Sequence, residues 1–467
     1  QNIGNLHALE RLDLSHNQLT GSIPVSIKQC SNLQYIMLNS NQLQGDMMLD
    51  YFSNNKNIRA LHLDHNNLTG TIPAEFTTWV YDHRPVFNIT YNCLSGSLPL
   101  ELISNPDWPR AEACIIPQNE GYNLEVPILY ESTDYSEDGK VVVLQKATEG
   151  NGINVAIVGD GFADVDFTSG HFDKVMHKTM EGLFRQEPMK SFRHLFNVYA
   201  VKAVSKHNVF LDGCETALEG KYGSNNSGYS YAECKEGTLR NKYINKIPAF
   251  NPDEDICFVI LNAYTPNASA SYCRYPQGFS YSISGLGSYT PASNNLHGFE
   301  NKICRGFGCT FGHLGSEEWN SFGGAATDAT KEVILNYQAN GWYMNLSVDP
   351  ENVPWKKFLT DERYANEDVG IYEGGYYCAF GIYRSSNTSI MRMTNIDEVT
   401  FNVPSREAIY KRMMQQAYGD SWQYDYEKFV EYDAINRNST PQLLRSTADA
   451  PKEDRLQYYP MVIIHEQ

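Results

Sequence analysis

Basic residues are scarce in this sequence of 467 residues, where 37 Lys and Arg stand against 55 Asp and Glu and the net charge is −18. Nucleic-acid binding draws its affinity from clustered Lys and Arg that contact phosphates. Long apolar runs are also missing: the longest, Ile256–Leu261, is far shorter than the roughly 18 residues that a membrane-spanning helix needs. The composition argues against a nucleic-acid partner and against a transmembrane segment in this chain.

No CxxC pair occurs among the 10 cysteines, which argues against a zinc ribbon or a thioredoxin-like site. The even number and the scattered positions favour some disulfides in an oxidising compartment, with buried thiols as the alternative. We expect Cys93 to pair with Cys114 and Cys214 with Cys234, because each pair brackets a loop-rich segment where a bridge can close without disturbing a sheet.

The first hundred residues contain a repeat. Asn17, Asn41, Asn66 and Asn92 recur at intervals of 24, 25 and 26 residues, and each is followed by Leu two positions later. Pairs of alternating apolar residues precede them: Leu12 and Leu14, Ile36 and Leu38, Leu61 and Leu63, Phe87 and Ile89. The pattern resembles the leucine-rich repeat, in which short strands stack over a shared core and the Asn side chain satisfies backbone groups at the turn.

The start of the chain lies inside a repeat. Because terminal repeats need a cap, we expect residues before Gln1 to complete the first repeat and to add others, and a signal peptide or lipid-anchoring segment is compatible with that start. Two functions for the repeats stay open, which are binding a partner and merely capping or spacing the next domain.

Composition and patterning divide the chain into three parts. We expect leucine-rich repeats over residues 1–110, a polar connector over 111–138 and one large α/β domain over 139–467, with the proline-rich stretch 105–109 close to the first boundary. In the third part, β-branched and aromatic runs predict strands over 141–144, 153–158, 196–204 and 256–261. A helical period over 172–184 predicts a helix between the second and third strands, as in an α/β fold.

Five segments of the third part carry a family resemblance. They are LQKATEGNGINVAIVGDGFADVDF (144–167), EPMKSFRHLFNVYAVKAVS (187–205), ICFVILN (256–262), FGCTFGHLGSEEW (307–319) and GIYRSSNTSIMR (381–392). In content and order they resemble the bacterial, Bacteroidetes-type IgA-peptidase-like zinc metallopeptidases. The resemblance implies a zincin-like α/β domain after the repeat solenoid, with Met391 as the methionine turn beneath the metal.

The metal-binding motif of that family is HExxH on a helix, where two His bind zinc and the Glu acts as general base. Arg305, Gly306 and Cys309 stand at those three positions, and Ser316 stands where the family usually has Asp. Arginine has no lone pair to donate and glycine cannot act as a base. The family implies a zinc cofactor, but these replacements predict no zinc and no catalytic residue at the motif.

Two other arrangements stay open. Cys309, His313 and Glu317 are spaced i, i+4 and i+8, which would form a displaced zinc site if the helix continued that far. The second arrangement is a Cys309 nucleophile activated by His313, and a purely structural role for His313 is the alternative to it. Five other histidines are expected at surface, helix-face or repeat positions that do not converge on a metal: His62, His65, His171, His177 and His297.

The preferred hypothesis is an exported or cell-surface protein that binds a peptide, protein or glycan without catalysis and without a cofactor. The 31 Tyr residues favour binding, because Tyr offers large contact area at low entropic cost. We expect Arg305 to supply positive charge in place of the metal and to pair with Glu317 or Glu318. The candidate cleft residues are Glu317, Glu318, Tyr383 and Arg384.

Overall fold

The computed structural model consists of two compact units. Of the described residues, those up to 125 form the first unit and those from 130 onward form the second. The described residues are 3–55, 57–73, 75–82, 85–103, 108–125, 130–210, 214–224, 230–263, 269–274, 279–286, 298–319, 323–392, 399–436 and 462–466.

The first unit is a stack of repeats with two four-stranded parallel sheets, which confirms the leucine-rich-repeat prediction. One sheet has the order β1 Arg11–Asp13, β3 Tyr35–Met37, β5 Ala60–His62 and β7 Val86–Asn88. The other has the order β2 Thr20–Gly21, β4 Gln42–Asp46, β6 Asn67–Gly70 and β8 Cys93–Leu94. The helices of this unit are α1 Leu49–Asn54, α2 Glu75–Asp82, α3 Leu100–Ile103 and α4 Trp108–Glu112.

From Asn41 onward, the recurring Asn side chains join each repeat to the one before it, as expected. Asn66 donates from Nδ2 to the carbonyl oxygens of Leu38 and Leu63, both at 3.0 Å, and accepts from the Leu43 N–H at 3.0 Å. Asn92 repeats the pattern one turn later. The side chain therefore satisfies backbone groups that the buried turn would otherwise leave without partners.

Replacing Asn66 by Ala is expected to lower the free energy of unfolding by about 2–3 kcal/mol, because several buried backbone groups lose their partner at once. Asn17→Ala is the matched control, since Asn17 is exposed and its side chain bonds, within the part of the chain that the structure describes, to the carbonyls of Leu14 and Ser15 in its own turn. Urea unfolding of both variants measures the difference. Equal losses would show that the ladder does not stabilise the repeats.

The segment predicted as a connector, 111–138, is divided between the two units. Ala111 and Ile115 belong to the repeat core, and β10 Leu124–Glu125 pairs with β9 Gly96–Ser97. From Glu131 the chain instead bonds to the second unit, where the Ser132 hydroxyl donates to the Ser205 carbonyl at 2.6 Å. The repeat core therefore extends past residue 110, and the second unit takes in residues before 139.

A seven-stranded sheet organises the second unit, and it contains all four predicted strands. Its order is β11-β13-β12-β16-β18-β17-β22. Neighbouring strands are parallel except for the antiparallel pairs β11 with β13 and β17 with β18. The strands are β11 Val141–Gln145, β12 Ile153–Asp160, β13 Phe196–Val201, β16 Ile256–Leu261, β17 Ser269–Arg274, β18 Tyr281–Gly285 and β22 Val462–Glu466.

Side chains of the central strand face two different cores. Val155 and Ile157 of β12 face one core, while Ala156 and Val158 face the other. Burial on both faces explains why the sequence of this strand is a continuous apolar run without alternation. The unit also contains two smaller antiparallel sheets. One pairs β14 Lys221–Ser224 with β15 Ser230–Glu233, and the other has the order β19 Leu346–Ser347, β21 Cys378–Arg384 and β20 Tyr372–Gly375.

The predicted helix is present as α6 His171–Leu183, and its apolar stripe is buried. The stripe packs in the same core as Val155, together with side chains from four later helices. The helices of this unit are α5 Asp164–Thr168, α6, α7 Glu236–Thr238, α8 Gly298–Thr310, α9 Asp328–Gln338, α10 Lys356–Thr360, α11 Val403–Tyr418 and α12 Tyr426–Asn436. No helix among the described residues has the length and hydropathy that crossing a membrane requires.

The disulfide prediction is wrong, since all 10 cysteines are present as thiols. Cys93 is buried in the repeat core, where its sulfur accepts from Asn119 Nδ2 at 3.6 Å. Cys234 lies in the second unit with its thiol hydrogen-bonded to Tyr281. The predicted bonds Cys93–Cys114 and Cys214–Cys234 are therefore absent.

Candidate functional site

Helix α8 carries the motif positions and lies deep in the second unit. Arg305, Gly306 and Cys309 are all buried on it. Phe299, Ile303 and Phe307 fix the helix in the core at helical spacing. Side chains that project from α8 at positions 305 and 309 therefore point into the protein interior.

Gly306 lies so close to the sheet that no side chain fits there. A Cβ on Gly306 would come within 2.3 Å of the Ser282 Oγ and 2.8 Å of the Ser282 Cβ on β18. The Ser282 hydroxyl is also 3.3 Å from that of Ser271 on β17. The position of the family's general base is thus closed by the sheet, in addition to lacking the carboxylate.

Met391 lies beneath α8, where the resemblance placed the methionine turn. A Cβ on Gly308 would be 2.9 Å from the Met391 Sδ and 2.9 Å from the Phe401 ring. The Met391 carbonyl accepts the N–H of Glu317 at 3.1 Å. The supporting turn therefore contacts both the helix and the segment that follows it.

The Arg305 guanidinium occupies the centre of the motif. Its Nη2 lies 2.8 Å from Glu318 Oε1 and donates to the Ser316 hydroxyl at 3.1 Å. The Arg305 side chain has no exposed surface, and that of Glu318 is 18% exposed. The expected pairing of Arg305 is confirmed for Glu318. We call Arg305, Cys309, Ser316 and Glu318 the Arg305 centre.

Burial shifts the titration of the groups around this guanidinium. It raises the pKa of Cys309 to about 11, with Arg305 acting in the opposite direction. It also raises the pKa of Glu318 to about 7, although the guanidinium favours the carboxylate. The thiol is therefore protonated at neutral pH, and Glu318 titrates within the physiological range.

We expect the stability of the protein to fall between about pH 4.5 and pH 7 relative to a Glu318→Gln variant. The pKa of Glu318 rises on folding from 4.5 to about 7, so the folded state binds this proton more tightly than the unfolded chain does. The contribution of Glu318 to the free energy of unfolding is complete below the pKa of the unfolded chain, and it is lost as the pH rises through the pKa of the folded state.

Urea unfolding at pH 5 and pH 8 measures this difference, with Glu362→Gln as the control at an exposed carboxyl group. The unaltered protein and the control should lose more stability between the two pH values than Glu318→Gln does. Identical losses in all three proteins would refute the shift.

Glu317 is not a cleft residue, which corrects the prediction for that position. It is fully buried, and its Oε1 accepts from Asn345 Nδ2 at 2.8 Å and from Asn402 Nδ2 at 2.9 Å. The Ser389 hydroxyl donates to its other oxygen. These bonds hold the segment after α8 in place, and they account for why Glu317 does not pair with Arg305.

The displaced zinc site fails on geometry. Helix α8 ends at Thr310, so Cys309, His313 and Glu317 do not share a helical face. His313 has a positive φ of 50°, stacks on Trp342 at 3.5 Å and contacts Arg412. Burial and then Arg412 lower its pKa well below the usual value. These contacts favour a structural role for His313 over a role in activating Cys309 as a nucleophile.

The donor set of the Arg305 centre does not fit zinc. The guanidinium is a cation without a lone pair, the Cys309 thiol is held protonated, and the Ser316 oxygen already accepts from Arg305. Among the described residues no group of three or more His, Cys, Asp or Glu is placed to hold a metal ion. His297 lies outside the described residues.

Tyr383 and Arg384 support a neighbouring hairpin. Arg384 is 3% exposed and donates from Nη1 to the Glu373 carbonyl at 2.7 Å. Tyr383 is Cα partner of Glu373 across the β20–β21 pair. Burial, followed by Glu373, raises the pKa of Tyr383. Both residues therefore hold the hairpin together, which corrects their assignment to a cleft.

The tip of that hairpin and a nearby Trp were missed by the sequence analysis. Tyr376 and Tyr377 form the turn with φ values of 49° and 64°. Their N–H groups donate to the carbonyls of Ser316 at 3.0 Å and Glu318 at 2.8 Å. Tyr377 and Trp319 are each 39% exposed. Trp319 and Tyr377 are thus both partly exposed next to the Arg305 centre, and Tyr377 lies on a turn that Asn and Gly usually form.

Comparison with known proteins supports this two-part organisation. Residues 142–266 match the family described as IgA Peptidase M64. Residues 7–47 match a two-copy leucine-rich-repeat family, and residues 57–79 match a single leucine-rich repeat. The peptidase match ends before α8, so the Arg305 centre lies beyond it.

Individual relatives are similar over part of the chain. Receptor-like protein 34 of Arabidopsis thaliana is 26% identical over 179 residues, which cover 38% of this chain and 17% of that protein. A plant ice-binding protein structure is 34% identical with a TM-score of 0.19, over 21% of this chain and 30% of its own. The leucine-rich-repeat ectodomain of the Arabidopsis thaliana receptor kinase SOBIR1 is 28% identical with a TM-score of 0.20, over 27% and 64%. This chain spans less than a fifth of the length of Receptor-like protein 34.

Proposed function

Because the chain joins leucine-rich repeats to an IgA Peptidase M64 domain, we propose that it is a non-catalytic binding protein. The observation that carries the proposal is the Arg305 guanidinium, which is buried and bonded to Glu318 and Ser316. A permanent cation takes the place that a zinc ion has in the resembling family. The closed space at Gly306 supports it, since no general base fits there.

The proposed ligand is a peptide, a protein or a glycan that contacts the surface beside the Arg305 centre. Trp319 and Tyr377 are partly exposed there, and aromatic residues supply large contact area at binding surfaces. The repeats provide a second contact surface through the half-buried Tyr35, Met37 and His62 of their first sheet. Similarity to a receptor-like protein is consistent with this role and with an exported or cell-surface location.

Metal analysis of protein purified without chelator, together with a peptide-cleavage assay, tests the loss of catalysis. We expect no stoichiometric zinc and no cleavage, because the motif supplies neither metal ligands nor a base. One equivalent of zinc with turnover that Cys309→Ala or His313→Ala abolishes would overturn the proposal. That result would establish an active peptidase with a different metal site.

Peptide and glycan arrays test the binding role. Trp319→Ala should weaken any signal that the unaltered protein gives, because it removes one of the exposed rings. Leu335→Ala is the matched control, since Leu335 lies on α9 and is 51% exposed. Equal signals from both variants would place the binding surface elsewhere.

A further inference from the structure

The seven-stranded sheet ends in a strand from the last described residues of the chain. Strand β22 pairs in parallel with β17 along five residues, from Ala270 opposite Val462 to Arg274 opposite Glu466. Residues 437–461 connect it to α12 and lie outside the described residues. The final strand therefore covers one edge of the sheet.

Strand β17 is held in place by contacts that do not involve β22. On its inner side it pairs with β18. The Tyr272 hydroxyl donates to the Ala232 carbonyl at 2.8 Å, and its ring stacks on Tyr281 at 4.6 Å. On the face of the sheet opposite to Tyr272, the Ser271 hydroxyl contacts the Ser282 hydroxyl. We therefore expect β17 to keep its position when β22 is removed.

The same strand borders the Arg305 centre. Ser271 is hydrogen-bonded to the Cys309 thiol, and Cys273 belongs to the same buried core as Cys309. A chain segment added to the outer edge of β17 consequently lies one strand away from that centre.

We propose that the outer edge of β17 is a binding site for an extended peptide, and that the chain's own segment Val462–Glu466 occupies it. An edge strand presents a row of N–H and C=O groups that an added strand satisfies. The consecutive Val462, Ile463 and Ile464 are β-branched and suit an extended conformation. Because this segment is covalently joined, its effective concentration exceeds that of a free peptide.

The ligand of this edge is an extended peptide. Binding of such a peptide from another protein rests on the proposed binding function. The edge site can hold a strand whether or not the Arg305 centre is catalytic. Zinc content and cleavage, measured on the same preparations, therefore report on the proposed function separately from peptide binding at the edge.

The direct test compares the full chain with a chain that ends at Met461, using a fluorescent peptide of residues 460–467. The shortened chain should bind the peptide saturably, and the full chain at least about tenfold more weakly because its own segment competes. A peptide with Ile463→Pro and Ile464→Pro is the control. Alternate N–H groups of a strand face the same neighbour, so one of these two prolines removes an N–H group that would bond to β17. A shortened chain that folds but does not bind, or equal binding by both chains, would overturn the proposal.

A cross-link in the full chain tests the occupant even if the shortened chain does not fold. Cys273 and His465 are Cα partners, and paired residues on neighbouring strands lie within the span of a disulfide. Mild oxidation of His465→Cys should join it to Cys273 within one chain, as peptide mass analysis shows. Glu466→Cys, opposite Arg274, is the control. A bond between two chains, or none, would contradict the assignment of this segment to its own edge.

Discussion

A chain carrying Arg305→His, Cys309→His and Ser316→Asp is expected to bind one zinc ion, and adding Gly306→Glu is expected to abolish this binding and destabilise the fold. The three substitutions restore the ligand types of the resembling family. A Cβ at position 306, however, would lie 2.3 Å from the Ser282 Oγ. Overpacking of this kind costs typically about 1–3 kcal/mol for added methylenes, and a whole Glu side chain is larger.

Adding Ser282→Gly should relieve that contact and recover both zinc binding and stability. Metal analysis and thermal unfolding of the three-, four- and five-substitution proteins measure whether zinc binding and stability are first lost and then recovered. Ser282→Gly alone is the control for the cost of a glycine in β18. If the four-substitution protein binds zinc as well as the three-substitution protein, the sheet does not close the general-base position.

Replacing Arg406 by Met is expected to lower the free energy of unfolding by about 3–5 kcal/mol. Arg406 on α11 is 7% exposed and lies 2.7 Å from Asp433 on α12, whose side chain has no exposed surface. The same guanidinium is 2.9 Å from Glu367 and donates to the Phe401 carbonyl at 2.8 Å. Methionine would leave a buried carboxylate without its cation.

Arg363→Met is the matched control for that substitution. Arg363 also bonds to two carboxylates, Asp361 and Glu427, but its side chain is 42% exposed. Exposed pairs contribute about 1 kcal/mol or less. Urea unfolding of both variants at neutral pH compares them, and similar losses would contradict the role assigned to burial.

The elements that the sequence predicted correctly depend on short-range patterns. The Asn period of the repeats and the apolar runs of β12 and β16 reflect local backbone geometry and burial on both faces. The pairing of Arg305 with Glu318 could be predicted because Arg305 lies in the motif and Glu318 follows the motif closely in the sequence. The disulfide prediction failed because spacing along the chain does not show which side chains surround each sulfur.

The elements that were missed depend on contacts between distant segments. Glu317 is fixed by Asn345, Ser389 and Asn402, and no local pattern connects these positions. The Tyr376–Tyr377 turn has no Asn or Gly at its centre, so turn rules do not mark it. Its conformation is instead fixed by the backbone of the segment after α8.

A guanidinium at the centre of α8 is part of the chain from the moment of synthesis. A bound metal ion contributes to folding only while the ion is supplied, and chelators or competing ions can remove it. The positive charge of Arg305 cannot dissociate. The charge balance at this position is therefore independent of metal availability, and it responds instead to the protonation of Glu318, whose pKa is about 7.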